Sequence, residues 1–199
     1  YFFVMKFNRP VIDSLYLPMG ETEKGKRIIA TFDLKPGDEL MMKVALSTTS
    51  VEGAKKNLQA EIPDWNFDGV KLATHDEWNS YLSRIDVEGT DDEKTNFYTC
   101  FYHALIQPNQ ISDVDGMYRN AADSIVKAGT GTFYSTFSLW DTYRAAHPLR
   151  LLIDEGTEKN VIDSYLRMAE QMGNMWMCIR KELQKLRRQI SPMPKSLTA

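Results

Sequence analysis

The first fifty residues alternate apolar with polar or small side chains, as β-strands do. Three strand-like segments are separated by turn-forming residues: YFFVMKF, RIIATFD and LMMKVALS. The third segment has a period of two, which predicts a strand with one deeply buried face. The positions assigned to that face are Leu40, Met42, Val44 and Leu46, which alternate with Met41, Lys43 and Ala45. Lys35–Asp38 form a turn between the second and third segments, so the sequence predicts antiparallel sheet.

After the third strand the apolar positions recur at intervals of three and four, which predicts helices. A first helix is expected to begin at a capping box of Thr49 and Glu52 and to end at Pro63. A second helix is expected to carry His75, Trp78, Leu82 and Ile85 on one face. A third is expected to begin at the capping box of Thr90 and Glu93 and to stop at the QPN sequence.

The second half of the chain is predicted to be a connection followed by two helices. Residues 111–132 are polar and contain glycine, which is typical of a loop or a short hairpin. A helix is expected from about Ser138 to the His147-Pro148 pair, and a longer one from Glu158 to Met172.

Composition places the chain among ordinary globular proteins. Its 199 residues suit one domain or two small ones. With 43% hydrophobic and 26% charged residues, it is not an intrinsically disordered chain, a collagen-like repeat or a cysteine-stapled mini-protein. The net charge of -3 does not suggest binding to nucleic acid or to an anionic membrane. The chain begins at Tyr1 within an apolar run, so we expect it to be a piece of a longer protein.

Residues 178–199 differ from the rest of the chain in charge. They contain six basic residues and one acidic residue, a local charge of +5. We interpret this segment as a solvated tail rather than an arm that binds nucleic acid. Apolar positions from Met172 to Leu186 recur every three or four residues, so helix pairing is an alternative.

Most generic functional motifs fail in this sequence. The SDVDGMY segment resembles part of a calcium loop through Asp113, Asp115 and Gly116. The remaining ligand positions hold Ile111 and Ala122, so an Asp-Gly turn is the preferred interpretation. Metal-ligand spacing is absent from the three histidines, His75, His103 and His147. Cys100 lies in an apolar run and is predicted to be a buried thiol.

Residues 132–148, TFYSTFSLWDTYRAAHP, form the segment that most favours a binding site. Trp140, Asp141 and Arg144 lie within one predicted helical turn. An aromatic plane stacks on the apolar face of a sugar ring, while a carboxylate and a guanidinium bind its hydroxyls. The competing interpretation is a buried helix with an internal pair of Asp141 and Arg144. The residues alone favour this second interpretation, because such pairs are common on helices.

At this segment the chain resembles glycoside hydrolase family 92, the calcium-dependent exo-acting α-mannosidases. The matching stretches are, in order, YFFVMKFNRP, VALSTTSVEGAKKNLQAEIPDWNFDGV, DEWNSYLSRI, FYTCFYHALIQPN, DVDGMYR and TFYSTFSLWDTYRAAHPL. Their order and spacing match the family over most of residues 1 to about 172. After about Gly173 the pattern is lost, and truncation and a shifted reading frame are both open explanations.

The resemblance implies an α+β architecture in which an N-terminal β-sandwich is joined by linker helices to an (α/α)6 barrel. Residues 1–48 would then form the last strands of the sandwich, and residues 49–89 the linker helices. Residues 90–173 would form the first part of the catalytic barrel, and residues 174–199 a basic tail outside the family.

The resemblance also implies hydrolysis of terminal α-mannosides, typically α-1,2-linked, with inversion and with Ca²⁺ at the sugar hydroxyls. Trp140 and Asp141 match positions that line the mannose subsite. Arg144 either orients that carboxylate or is structural, and His147 and Tyr134 are weaker candidates. The family's acid, base and calcium ligands lie in later barrel helices. We therefore assign no catalytic residue, expect no metal to be bound by this chain, and expect it to be inactive alone.

Other expectations follow from the same resemblance. The partners are mannose-containing glycans, with no nucleic acid and no membrane span, and the location is secreted or periplasmic. Exposed barrel helices, such as the stripe of Phe97 and Phe101, could allow self-association. The alternative function is a non-catalytic carbohydrate-binding or helical interaction module.

Overall fold

The computed structural model describes residues 1–17, 27–120, 122–129, 131–135 and 139–172. In these residues the strands are β1 (Phe2–Phe7), β2 (Asp13–Leu17), β3 (Arg27–Thr31), β4 (Met42–Ser47), β5 (Asn109–Gln110), β6 (Met117–Arg119), β7 (Ile125–Lys127) and β8 (Tyr134–Ser135). The helices are α1 (Val51–Glu61), α2 (Phe67–Leu82), α3 (Asp91–Leu105), α4 (Leu139–Thr142), α5 (Ala146–Ile153) and α6 (Glu155–Met172). The result is a mixed α/β fold.

The strands pair antiparallel in the pairs β1–β4, β2–β3, β5–β8 and β6–β7. Antiparallel pairing was predicted for the first fifty residues, but β2, β5 and β8 were not predicted as strands. The turn predicted at Lys35–Asp38 is confirmed, because the Asp38 amide donates to the Lys35 carbonyl at 3.0 Å. Gly37 has a φ of +94°, which glycine adopts without steric cost. The flanking strands β3 and β4 do not pair with each other, however; each pairs with an earlier strand.

The prediction for the buried face of β4 is wrong. Met42 and Leu46 are 56% and 61% exposed, whereas Ala45 and Ser47 are buried. The reason is that α1 packs on β1 and β4 from the side of the small residues, which lets the helix and the sheet approach closely. The buried residues of α1 are Gly53, Ala54, Asn57 and Leu58. Most of the opposite, apolar face of this sheet is exposed in the described residues, and at its end Phe7 packs edge-on to Phe32.

Helices α1, α2 and α3 confirm the predicted order with corrections at their ends. The N-cap of α1 is Ser50, whose hydroxyl accepts from the Gly53 amide at 2.9 Å, rather than Thr49. Thr49 does not cap α1 because its hydroxyl donates to the carboxylate of Asp113. The capping box of Thr90 and Glu93 is confirmed at the start of α3. Ile85 lies beyond the end of α2.

The helix predicted from about Ser138 to Pro148 is in fact two elements. α4 ends at Thr142, the chain turns, and α5 begins at Ala146. Pro148 does not stop a helix because it lies in the first turn of α5, where its missing N–H has no intrahelical partner to lose. α6 begins at Glu155, three residues before the predicted start.

In the described part of the second half, two clusters of buried side chains form the core. α6 contributes Val161, Ile162 and Tyr165, against which Leu139 of α4 packs. The β6–β7 hairpin contributes Tyr118 and Ala128, and the Tyr118 ring stacks on Phe133 with centroids 3.7 Å apart. No helix in the described ranges is long and apolar enough to cross a membrane.

Two predictions about α3 are wrong. Cys100 is exposed rather than buried. Phe101, expected to be exposed, is buried, and Phe97 is half-buried. Adjacent residues of a helix point in directions about 100° apart, so the burial of Phe101 does not carry Cys100 inward.

Candidate functional site

The candidate sugar-binding segment is a short helix followed by a turn. α4 carries Trp140 and Asp141, whose side chains lie outside the part of the chain that the structure describes. Their contact with a substrate stays a prediction. Arg144 lies in the turn, and its Nε donates to the Tyr143 hydroxyl at 2.6 Å. Because α4 ends at Thr142, the single continuous helical turn expected for Asp141 and Arg144 is not formed.

His147 is a buried side chain with both ring nitrogens engaged. It is 2% exposed. Its Nδ1 lies 2.6 Å from Oε1 of Glu158, and its Nε2 lies 2.9 Å from the hydroxyl of Thr142. The ring also lies edge-on to Tyr165, with centroids 6.0 Å apart. This arrangement leaves neither nitrogen directed at solvent, and it links α5 to both α4 and α6.

Glu158 connects His147 to a second buried group, Arg150. Glu158 is 0% exposed, and its other oxygen, Oε2, lies 3.4 Å from Nη1 of Arg150. Arg150 is itself buried, and its Nη2 donates to the carbonyl of Gln107 at 2.7 Å. Buried charges are costly unless they are paired and hydrogen-bonded, and both conditions are met here. We call His147, Arg150 and Glu158 the buried trio.

Tyr134 faces a cavity of about 360 Å³ between α2, the end of α3 and the start of α6. The cavity lining combines aromatic rings with carboxylates and includes Trp78, Tyr81, Glu77, Arg150 and Asp154. The Tyr134 amide donates to the Ser164 hydroxyl at 3.0 Å. Burial raises the pKa of the Tyr134 phenol above its ordinary value, so the phenol stays neutral at physiological pH.

Asp154 is the carboxylate with the most partners at this cavity. The Tyr81 hydroxyl donates to it at 2.9 Å, the Thr157 amide donates at 3.2 Å, and an Arg84 nitrogen lies 3.5 Å away. Burial by itself would raise the pKa of Asp154. The bonds from Thr157 and Tyr81 and the charge of Arg84 outweigh burial and hold that pKa below its ordinary value.

Replacing Asp154 with asparagine should lower the free energy of unfolding by about 1–2 kcal/mol at neutral pH. A carboxylate with a lowered folded-state pKa stabilises the protein above its unfolded value of 3.8. Below that pH the unfolded state binds the proton first, so the difference between wild type and variant should shrink. Urea unfolding at about pH 7, 5 and 3 checks this. Asp76→Asn, at an exposed position of α2, is the control, and equal pH dependence in both variants would contradict the prediction.

Asp113 forms a buried polar knot with the end of β4 and with α1. Its Oδ2 accepts from the hydroxyls of Ser47 at 2.8 Å and Thr49 at 2.6 Å. Its Oδ1 accepts from the Asn57 amide group at 2.8 Å. The Gly116 amide donates to the Asp113 carbonyl at 2.8 Å, and Gly116 has a φ of +79°. The preferred interpretation of this segment, an Asp-Gly turn, is confirmed.

The described carboxylates do not fit a calcium site. Both oxygens of Asp113 accept from protein donors, and Asp115 pairs with Lys56 at 2.8 Å. Within the described ranges, no three His, Cys, Asp or Glu side chains come together in a way that could hold a metal ion. Ca²⁺ requires six to eight oxygen ligands, and these oxygens are already committed to other partners.

Sequence reasoning missed Glu158 and Thr142 as parts of the site. Glu158 precedes Val161, Ile162 and Tyr165 by three, four and seven residues, so it lies on the face of α6 that packs into the core. A glutamate on the apolar face of a helix is the signal that could have identified it. No sequence feature distinguishes Thr142, because its hydrogen bond depends on a histidine in the next helix.

Comparison with known proteins identifies relatives of this chain. The model of the glycosyl hydrolase family 92 catalytic domain matches residues 53–189. The match continues past Gly173, after which the family pattern was expected to end, and that boundary stays a prediction. A search of curated proteins found no match.

Solved structures agree with the family model. The α-mannosidase BT3965 of family GH92 from Bacteroides thetaiotaomicron is 27% identical with a TM-score of 0.76, and the match covers 84% of this chain and 24% of that one. The same protein in complex with mannoimidazole gives a TM-score of 0.75. The inverting mannosidase BT2199 from B. thetaiotaomicron VPI-5482 is 28% identical with a TM-score of 0.76, covering 87% of this chain and 25% of that one.

The chain thus spans about a quarter of the length of these solved structures. The family model matches well over half of its residues and includes α4, α5 and α6. The chain belongs to glycosyl hydrolase family 92.

Proposed function

We propose that this protein acts in the hydrolysis of terminal α-mannosides, typically α-1,2-linked, with inversion at the anomeric carbon. The observation that carries the proposal is the family match over residues 53–189, which includes the Trp140–Asp141 segment. Two relatives support it: one has been solved with mannoimidazole, and another is described as an inverting mannosidase. A secreted or periplasmic location is proposed on the same family grounds.

The architecture proposed from the resemblance is the end of a β-sandwich, linker helices and the opening of an (α/α)6 barrel. The mostly exposed apolar face of the β1–β4 sheet supports the sandwich. Its facing pairs are Phe3 with Leu46, Met5 with Val44, and Phe7 with Met42. A sheet with one face under a helix and an apolar opposite face is typical of a strand layer that packs on a second sheet.

Within this function α4 supplies the sugar-binding part of the site. Trp140 stacks on the apolar face of the mannose ring, and Asp141 accepts hydrogen bonds from its hydroxyls. Arg144 and Tyr134 complete the proposed sugar-binding set, whereas the buried His147 acts on the site through α4 and not by contact with the sugar. An inverting glycosidase needs a carboxylic acid and a carboxylate base about 6.5–9.5 Å apart. We assign neither of them to a residue of this chain, and no step is assigned to calcium.

The 199-residue chain should release no mannose from α-1,2-mannobiose in the presence of calcium. The expected reason is that the proposed subsite binds the sugar but holds neither catalytic carboxylate. The assay measures free mannose, with a full-length family 92 enzyme as the positive control. Clear mannose release by the chain would contradict this prediction.

Calorimetry with D-mannose tests whether α4 carries a mannose subsite, and binding without mannose release favours the alternative of a binding module. Saturable binding that is lost in Asp141→Ala and retained in Asp76→Ala supports a mannose subsite on α4. Binding that is unaffected by the Asp141 substitution would overturn the assignment of this residue.

A further inference from the structure

We infer that the buried trio is a positioning device that orients α4, and with it Trp140 and Asp141, through the Thr142 hydroxyl. The inference concerns residues that do not themselves contact a sugar. It rests on the proposed function in one respect, which is that α4 binds a sugar.

α4 is too short to hold its own orientation. It has four residues, and the amide of Tyr143 donates to the carbonyl of Leu139 at 3.1 Å. Isolated helices of this length are unstable in water, because one hydrogen bond does not offset the entropy of fixing a turn. Tertiary contacts secure its ends: Leu139 packs on the α6 cluster, and the Thr142 hydroxyl lies 2.9 Å from Nε2 of His147. Thr142 also interacts with the phenol of Tyr165 in α6.

Glu158 fixes which nitrogen of His147 carries the proton. The carboxylate oxygen can only accept at 2.6 Å, so Nδ1 donates to it. With Nδ1 held by Glu158, Nε2 on the other side of the ring is held at the Thr142 hydroxyl, 2.9 Å away. Arg150 holds the second oxygen of Glu158, and the carbonyl of Gln107 anchors Arg150. The orientation of α4 is therefore set by a chain of hydrogen bonds that starts at the end of α3.

Stability alone is a poor explanation for this arrangement. Replacing a buried ion pair by well-packed apolar side chains is often neutral or stabilising. In other proteins, a carboxylate that holds one nitrogen of a histidine fixes the direction of the other nitrogen. Groups that do not touch the ligand orient the binding residues in this way. The hydroxyl it reaches lies one residue after Asp141, in the element proposed to bind the sugar.

The test compares Thr142→Val, which keeps the side-chain shape but removes the hydroxyl, with Thr142→Ser, which keeps the hydroxyl. In the full chain, the Val variant should exchange the Tyr143 amide hydrogen about tenfold faster, as expected for the loss of one hydrogen bond. Amides of Val161 and Ile162 in α6 should exchange at the wild-type rate. The Ser variant should restore slow exchange at Tyr143. A merely structural role would instead change exchange in α4 and α6 together, or in neither, and either result would overturn the inference.

A second pair of variants examines His147 directly. A glutamine amide reaches the position of Nε2, whereas an asparagine amide reaches only that of Nδ1. His147→Gln should therefore protect the Tyr143 amide better than His147→Asn, and the reverse order would overturn the inference.

D-Mannose binding by calorimetry is the functional readout, and it should weaken about tenfold in Thr142→Val and recover in Thr142→Ser. Failure of wild type to bind mannose would count against the proposed function. The exchange rates at Tyr143 would still decide the positioning role.

Discussion

Replacing Asp113 with alanine should lower the free energy of unfolding by about 3–5 kcal/mol. The side chain is 4% exposed and accepts hydrogen bonds from Ser47, Thr49 and Asn57. Without it, three buried donors lose one of their acceptors, in a space that an alanine does not fill. Each buried donor left without a partner costs about 1–3 kcal/mol. Urea unfolding followed by circular dichroism measures the loss.

Asp115→Ala is the matched control for this prediction. Asp115 is two residues away in the same turn, and its ion pair with Lys56 is exposed to solvent. Surface pairs of this kind contribute about 0–1 kcal/mol. Asp113→Asn should fall between the two alanine variants, because an amide oxygen still accepts while its NH₂ meets groups that donate. An equal decrease in the free energy of unfolding for the two alanine variants would show that the Asp113 knot does not stabilise the fold more than a surface ion pair does.

The environment of Gly53 explains why the effect should be large. A Cβ built on Gly53 would lie 2.5 Å from Oδ2 of Asp113 and 2.7 Å from the Ser47 hydroxyl. The carboxylate therefore sits directly against the backbone of α1, where only glycine leaves room for it. The knot joins the end of β4, the first turns of α1 and the turn before β6, so its loss affects three parts of the fold.

Replacing Glu158 with alanine should cost about 3–5 kcal/mol, the range for breaking a buried ion pair from one side. The substitution leaves the guanidinium of Arg150 buried without its carboxylate and removes the hydrogen-bond acceptor of His147. It also opens space beside the α6 cluster. Thermal and urea unfolding of the two proteins at the same pH give the difference.

Glu155→Ala is the control on the same helix. Glu155 lies in the first turn of α6 and is exposed, so only its favourable interaction with the helix dipole, about 0.3–1 kcal/mol, is lost. Glu158→Gln should retain part of the stability, because its amide oxygen still accepts from His147. A Glu158→Ala variant as stable as Glu155→Ala would mean that Arg150 and His147 find other partners.

Predictions from local sequence are confirmed where a few neighbouring residues determine the backbone conformation. The capping box of Thr90 and Glu93, the turn at Lys35–Asp38 and the Asp-Gly turn at Gly116 were predicted and are confirmed. In each case the hydrogen-bonding groups lie within four residues of one another. The family relationship was also predicted, from blocks of residues whose combination is specific.

Predictions failed where an element that is distant in sequence determines which residues are buried or hydrogen-bonded. The apolar set of β4 was expected to be buried, but α1 covers the other face, where small side chains and the Asp113 knot admit a helix. Thr49 was expected to cap α1, but its hydroxyl bonds to Asp113, 64 residues away. Periodicity identifies a strand with two unlike faces but not which face another element will cover.

The sequence by itself determined the change from strands to helices near residue 50, the capping box of α3, the turns at Lys35–Asp38 and Gly116, and membership in family 92. These depend on short-range hydrogen bonds and on residue identity. Only the tertiary structure decided that Glu158 and Arg150 meet His147 in the core and that Thr142 is the point at which this trio reaches α4. The physical reason is that a buried charge is tolerated only where folding supplies its partners, and those partners come from separate elements.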